Sequence, residues 1–135
     1  MGIEWRDSMS VGVELIDNQH KELLKRFDML LKACQTGQGI AELKILQSFL
    51  GTYVFTHFSD EEHLQRLHNY PAYEAHKAEH DHFVERIKKL MEETEEAGIS
   101  THHVIETNSL LLNWLLNHIS KIDTQLGDFL RSKNL

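Results

Sequence analysis

Apolar residues recur at spacings of three and four over four long stretches of the chain, a period that predicts amphipathic helices. The first predicted helix is capped by Asp17 or Asn18 and ends at Gly37 and Gly39. Its apolar face carries Ile16, His20, Leu23, Phe27, Leu30 and Cys34.

The second predicted helix begins near Ile40 and contains Gly51. It frays around His68, and the sequence NYP at 69–71 predicts the turn that follows. Its apolar face carries Leu46, Leu50, Val54, His57, Glu61 and Leu64.

The third predicted helix stops at Gly98, and Ser100 or Thr101 caps the fourth. The apolar face of the third carries Tyr73, His76, His80, Phe83, Ile87 and Leu90. The apolar face of the fourth carries Leu111, Leu115, His118, Ile122 and Phe129.

The first sixteen residues have no helical period, although they include the apolar Trp5, Met9, Val11 and Val13. We therefore expect residues 1–16 to form an extended arm that packs against the helices. Four amphipathic helices with short connections predict an all-α fold, an up-down-up-down four-helix bundle. Residues 1–135 form one domain in this interpretation, because 135 residues suffice for one substantial core.

The composition limits the classes of partner and the cellular compartments that we expect. A net charge of -7 argues against nucleic acid as a partner, and no basic run indicates a membrane surface. The apolar run LLLNWLLN is too short to span a bilayer, and MGIEWRDS lacks the apolar segment of a secretion signal. The single cysteine, Cys34, excludes a disulfide within the chain. We therefore expect a cytoplasmic protein, with its oligomeric state open and a monomer compatible.

Seven ionisable residues lie on the apolar faces of the four helices: His20, His57, Glu61, His76, His80, His118 and Asp123. A helix core accepts such groups when something offsets their desolvation, and a metal centre does so for all of them together. Residues four apart lie one turn apart on one helix face, so HFSDE and HKAEH each direct a pair of ligands inward. The pair in HISKID is five residues apart, which in an α-helix is about 140° round and roughly 7.5 Å along the axis.

The number of donors predicts two metal ions. Five imidazoles and two bridging carboxylates offer nine donor atoms, too many for one ion and too few for two octahedral ions. A bridging oxide or hydroxide adds one bond to each ion and leaves a single position for a small molecule. Imidazole and carboxylate ligands favour iron, manganese or zinc, and redox chemistry with dioxygen favours iron among these.

Each histidine taken alone has a simpler interpretation, since a lone histidine on an apolar face is usually a core or cap residue. The joint placement of ligands on all four apolar faces argues against that interpretation. The remaining five histidines lie off the faces or in the opening turn of the last helix, where we expect surface roles: His63, His68, His82, His102 and His103.

The motifs SVGVELIDNQH, HFSDEE, NYP, HKAEH and WLLNHISKID make the chain similar, end to end, to the hemerythrin family and its stand-alone bacterial members. That resemblance implies two irons, one held by His76, His80 and His118 and the other by His20 and His57, with Glu61 and Asp123 bridging. It also implies that dioxygen binds to the two-histidine iron, in a pocket lined by Phe58, Trp114, Leu115 and Ile119. One position departs from the pattern: Gln65 stands where many bacterial relatives have methionine.

Reversible binding of dioxygen, for transport, storage or supply to an oxygen-consuming recipient, is the function we expect, without enzymatic turnover. A di-iron oxidase or peroxidase is the main alternative, but its carboxylate-rich Glu-x-x-His pairs occur here only once, at Glu79 and His82. Nitric oxide chemistry at the same irons, and oxygen sensing through a separate partner, are further alternatives.

Overall fold

The computed structural model describes residues 5–133; residues 1–4, the start of the predicted arm, and residues 134–135 lie outside the described part. A 3-10 turn at Asp7–Met9 precedes the helices α1 (Glu14–Gln35), α2 (Gly39–Leu67) and α3 (Tyr73–Ala97). The fourth long helix runs without a break through α4 (Thr101–Asn113), a π-helical segment (Trp114–Asp123) and α5 (Thr124–Ser132). Connections of three to five residues make successive helices antiparallel, so the predicted four-helix bundle is confirmed.

The first helix begins at Glu14, three residues before the predicted cap. Asp17 lies inside α1, where its carboxylate accepts hydrogen bonds from the Ser10 hydroxyl at 2.5 Å and the Val11 amide at 2.9 Å. The predicted N-cap is therefore wrong, because this side chain fastens the arm instead. The arm is also less extended than predicted, since it contains the 3-10 turn and the first residues of α1.

The arm also contacts α5. The Arg131 guanidinium donates a hydrogen bond to the Ser10 carbonyl at 2.7 Å. A Cβ atom on Gly127 would lie 2.7 Å from the Val11 Cα, so only glycine permits this approach. Val11 is completely buried as a result.

In the second half of the chain the helices end close to where the sequence predicts. Asn69 adopts a left-handed φ of 54° in the NYP turn, and Gly98 ends α3 with a φ of 78°. Ser100 precedes α4 as predicted, and its backbone N–H donates to Nδ1 of His103 at 3.1 Å. His103 is consequently only 8% exposed, so its expected surface role is wrong. Cys34, expected on the apolar face of the first helix, is exposed.

The apolar core has two parts with the polar residues between them. The larger cluster includes Phe58 on α2 and Ile119 on the π segment, whereas a smaller cluster contains Leu126 and packs against Leu64. Glu61 lies between Phe58 and Leu64 along α2, and Asp123 lies between Ile119 and Leu126 along the last helix. The seven ionisable residues thus occupy a polar layer sealed by hydrocarbon at both ends of the bundle. None of the helices within residues 5–133 is both long enough and apolar enough to cross a membrane.

Candidate metal centre

All seven predicted ligands converge in this layer, and each is at most 1% exposed. Their donor atoms form two groups that share both carboxylates. One group contains Glu61, His76, His80, His118 and Asp123; the other contains His20, His57, Glu61 and Asp123. Within each group the donor atoms lie within 4.8 Å of one another, close enough to hold one ion.

Each carboxylate directs one oxygen to each group. Oε1 of Glu61 lies 2.7 Å from Nε2 of His76, and Oε2 lies 3.2 Å from Nε2 of His57. Oδ1 of Asp123 lies 2.9 Å from Nε2 of His76, and Oδ2 lies 3.1 Å from Nε2 of His20. This division is the arrangement of two carboxylates that bridge a pair of ions.

The imidazoles face one another through their Nε2 atoms. The Nε2–Nε2 distance is 3.1 Å between His20 and His57 and again between His76 and His118. Two nitrogens bound at a right angle to one ion, each about 2.1 Å from it, would lie roughly 3.0 Å apart. The spacing therefore fits pairs of nitrogens that share an ion.

Outer hydrogen bonds orient three of the imidazoles. Nδ1 of His57 donates to Oε1 of Gln19 at 2.7 Å, and Nδ1 of His80 donates to Glu62 at 2.9 Å. A neutral ring with a proton on Nδ1 has a lone pair on Nε2, the atom that here points inward. These contacts thus prepare the rings to bind metal.

The outer partners follow a rule that the sequence analysis missed. Gln19, Glu62 and Glu79 each stand directly beside a predicted ligand, and each bonds an imidazole on the next helix of the chain. Glu79 thus accepts from Nδ1 of His118 at 3.2 Å. The Glu62 side chain is only 14% exposed, and Glu62 belongs to this set. The available signal was a polar residue directly beside a predicted ligand on α1, α2 and α3, at Gln19, Glu62 and Glu79.

The neighbouring imidazoles favour the ionised form of both carboxyl groups, although the two groups are completely buried. Burial would raise the pKa of Glu61, but the imidazoles of His57, His76 and His80 lower it well below its usual range. For Asp123, burial and the charge of Glu61 oppose ionisation, yet the imidazoles of His118 and His20 lower the pKa. Burial would also lower the pKa of His76, whereas Asp123 and Glu61 raise it to about 9. The layer therefore requires positive charge.

The orientation of the carboxylates favours metal ions as that positive charge. The carboxylate oxygens of Glu61 and Asp123 face the Nε2 atoms of all five imidazoles at distances of 2.7 to 3.7 Å. Oxygen and nitrogen donor atoms that converge in this way suit a shared cation, so the residues present fit a pair of ions.

The π-helical segment corrects the expected geometry of the last helix. Its hydrogen bonds run from residue i to i+5, so residues five apart lie on the same face. His118 and Asp123 are therefore stacked, with Nε2 and Oδ1 3.0 Å apart, and not offset by the angle of an α-helix. The segment brings both side chains into one centre.

The four residues that the resemblance assigns to the oxygen pocket are all buried: Phe58, Trp114, Leu115 and Ile119. The ring of Phe58 is parallel to that of His80, with centroids 3.9 Å apart. The ring of Trp114 lies on that of His118 at 3.7 Å. Both aromatic rings thus cover imidazoles of the three-histidine group, and their role in an oxygen pocket stays a prediction.

Two further buried polar groups lie near the centre and were not assigned to it. The Tyr53 hydroxyl and both polar atoms of the Gln65 amide have no hydrogen-bond partner within residues 5–133. Of the histidines expected at the surface, His63, His82 and His102 are exposed and His68 is half-buried.

Four helices that enclose two groups of histidines, joined by shared carboxylates, are typical of a helical-bundle protein that binds cations. The model of the hemerythrin HHE cation-binding domain matches residues 11–130. The chain is 30% identical to a bacteriohemerythrin of Pseudomonas paraeruginosa over 94% of its own length and 80% of the relative. It is 30% identical to the bacteriohemerythrin of Methylococcus capsulatus, over 86% of each chain. It is 27% identical to the myohemerythrin of Sipunculus nudus, over 88% of this chain and 86% of the other. The chain belongs to the hemerythrin family.

Proposed function

We propose that the chain binds dioxygen reversibly at a pair of iron ions, bridged by an oxide or hydroxide, as a carrier, store or supplier of oxygen. The proposal rests on the unequal number of imidazoles in the two groups of donor atoms. Both groups use Glu61 and Asp123, but one has three imidazoles and the other has two. The two-histidine group therefore provides one protein donor fewer, which suits an ion that also accepts a small molecule.

The iron pair would supply the electrons for binding dioxygen, and the protein residues supply orientation and an apolar cover on the three-histidine side. Gln19, Glu62 and Glu79 hold three imidazoles with their Nε2 atoms inward. Phe58 and Trp114 cover the three-histidine side with aromatic surface. Exclusion of water from such a layer slows proton-coupled side reactions.

We propose binding without turnover because the seven ionisable groups of the layer are occupied as ligands. None of them is then free to act as a general base towards a substrate. Dioxygen is the partner in this proposal, and an oxygen-consuming protein is the expected recipient. We place the chain in the cytoplasm, since its one thiol is exposed and unpaired, as is usual in a reducing compartment.

An optical titration of the purified protein tests this proposal. Elemental analysis should find two irons per chain, and cycles of argon and air should change the visible spectrum reversibly without loss of iron. About one metal per chain would contradict the bridged pair. Irreversible oxidation with catalytic consumption of oxygen or peroxide would favour the oxidase or peroxidase alternative.

Two variants test how the histidines are divided. His20→Ala removes a ligand from the two-histidine group, so dioxygen binding should be lost even where some iron remains. His80→Ala opens a second position on the other ion and should introduce oxidase or peroxidase activity. Identical spectra and reactivity in both variants would contradict the division.

A further inference from the structure

A cleft of about 520 Å³ follows the groove between α1 and α2 and ends at the two-histidine side of the centre. Its walls include the exposed Ser48, Thr52 and Thr56, and its inner end is formed by Gln19, Tyr53 and His57. The cleft therefore connects solvent to one imidazole of the two-histidine group along a wall that carries hydroxyl groups.

Tyr53 places a buried phenol at this inner end. Its side chain is only 6% exposed, and its ring lies nearly parallel to that of His57 with centroids 5.1 Å apart. Its hydroxyl has no hydrogen-bond partner among the residues that the structure describes. A phenol carries its proton at neutral pH, so this hydroxyl is available as a hydrogen-bond donor.

The neighbours of Tyr53 do not use this donor. Nδ1 of His57 is already bonded to Gln19 at 2.7 Å, so the imidazole needs no second partner on that side. The Tyr53 hydroxyl donates to neither Glu61 nor Asp123. A buried hydroxyl without an acceptor destabilises the fold, and an added acceptor would remove that cost.

We propose that Tyr53 donates a hydrogen bond to a small, negatively charged ligand held at the two-histidine side, and that the cleft between α1 and α2 is its route from solvent. The inference rests on the proposed iron pair. A donor hydroxyl at Tyr53 makes the two-histidine side of the centre polar, whereas the aromatic rings of Phe58 and Trp114 cover the three-histidine side. Tyr53 would then select ligands that accept a hydrogen bond.

Azide binding to the oxidised, iron-loaded protein tests the donor. Tyr53→Phe removes only the hydroxyl oxygen and should weaken azide binding about 10- to 100-fold, the effect of one hydrogen bond to a charged acceptor. Tyr70→Phe is the matched control, because Tyr70 is also buried and its ring lies 6.4 Å from that of His76, on the other side. Its azide affinity should be unchanged. Equal affinities in wild type and Tyr53→Phe, at equal iron content, would overturn the proposal.

Carbon-13 NMR of the tyrosine Cζ atoms gives a second readout. The chain has three tyrosines, so each signal is assigned by the variant that removes it. Azide should shift the Tyr53 signal most. A Tyr53 signal that does not respond to saturating azide would overturn the donor role.

Substitution at the cleft tests the route. Ser48→Trp should slow azide association and dissociation several-fold with little change in affinity, because it obstructs the cleft without touching the centre. Ser109→Trp, at a separate cleft on α4, should leave both rates unchanged. Equal rates in the two variants would exclude this route.

These outcomes separate the inference from the proposed function. Reversible dioxygen binding by two irons, with no effect of Tyr53→Phe on azide, would overturn the inference alone. Azide binding that depends on Tyr53, in a protein that dioxygen oxidises irreversibly, would overturn the carrier function alone.

Discussion

Replacing Gln65 with methionine should stabilise the protein, although it removes a polar side chain beside the polar layer. Gln65 lies one turn beyond Glu61 on α2 and is 0% exposed. Neither its amide oxygen nor its amide nitrogen has a hydrogen-bond partner in the described part of the chain. Methionine has a similar length and volume and no group that needs a partner.

The size of the effect follows from the desolvated amide. Burying an amide without hydrogen bonds costs about 1–3 kcal/mol in proteins, and an unbranched apolar side chain of the same shape avoids most of that cost. We expect Gln65→Met to raise the free energy of unfolding by about 1–2 kcal/mol. For a chain of this length the midpoint of thermal unfolding should rise by roughly 3–8 °C.

Gln47→Met is the matched control on the same helix. The Gln47 amide donates to the Thr94 hydroxyl at 3.1 Å, so its removal should lower the free energy of unfolding by about 1 kcal/mol. Urea and thermal unfolding of both variants should be measured at equal iron content. A Gln65→Met protein no more stable than wild type would mean that the Gln65 amide is hydrogen-bonded, and the reasoning from unpartnered atoms would be refuted.

Three other substitutions test the outer contacts, the arm and the enclosure. Glu62→Ala should weaken metal affinity about 10- to 100-fold, measured by competition with a chelator. The loss should be larger than for Glu79→Ala, because the Glu79 side chain is 45% exposed. Equal losses in the two variants would contradict this ranking. Gly127→Ala should destabilise the protein by about 1–3 kcal/mol because its Cβ meets the backbone of the arm. At Gly51 the added carbon meets nothing within 4 Å beyond its chain neighbours and the local helix backbone, so Gly51→Ala should instead stabilise the protein by about 0.5–1 kcal/mol. Unfolding midpoints of the two glycine variants that move in the same direction would refute the contrast. Ile119→Ala should cost about 2–5 kcal/mol and speed autoxidation at unchanged iron content, whereas an unchanged rate would place the oxygen pocket elsewhere.

Much of the fold and the membership of the centre could be predicted from the order of residues alone. Helical periodicity identified four apolar faces, and glycines and short polar turns identified their ends, as at Gly98 and Ser100. The same periodicity placed the histidine and carboxylate pairs on those faces. This worked because residues three and four apart share a side of any α-helix, whatever it packs against.

Contacts between helices decided the rest. The rotation and height of one helix against the next determine that Glu62 bonds an imidazole of α3 and that Asp17 fastens the arm instead of capping α1. Neither contact has a fixed spacing along the chain, so no periodic pattern predicts it.

The chemistry of the centre depends on the tertiary structure in the same way. The resemblance to the family predicted Glu61 and Asp123 as shared ligands, but only packing directs one oxygen of each towards each histidine group. The π-helical segment stacks His118 and Asp123, which an α-helix would hold apart. Spacing along a chain selects the face of a helix on which a residue lies. The distances between donor atoms on different helices are set by side-chain rotamers and by the packing of four helices at once.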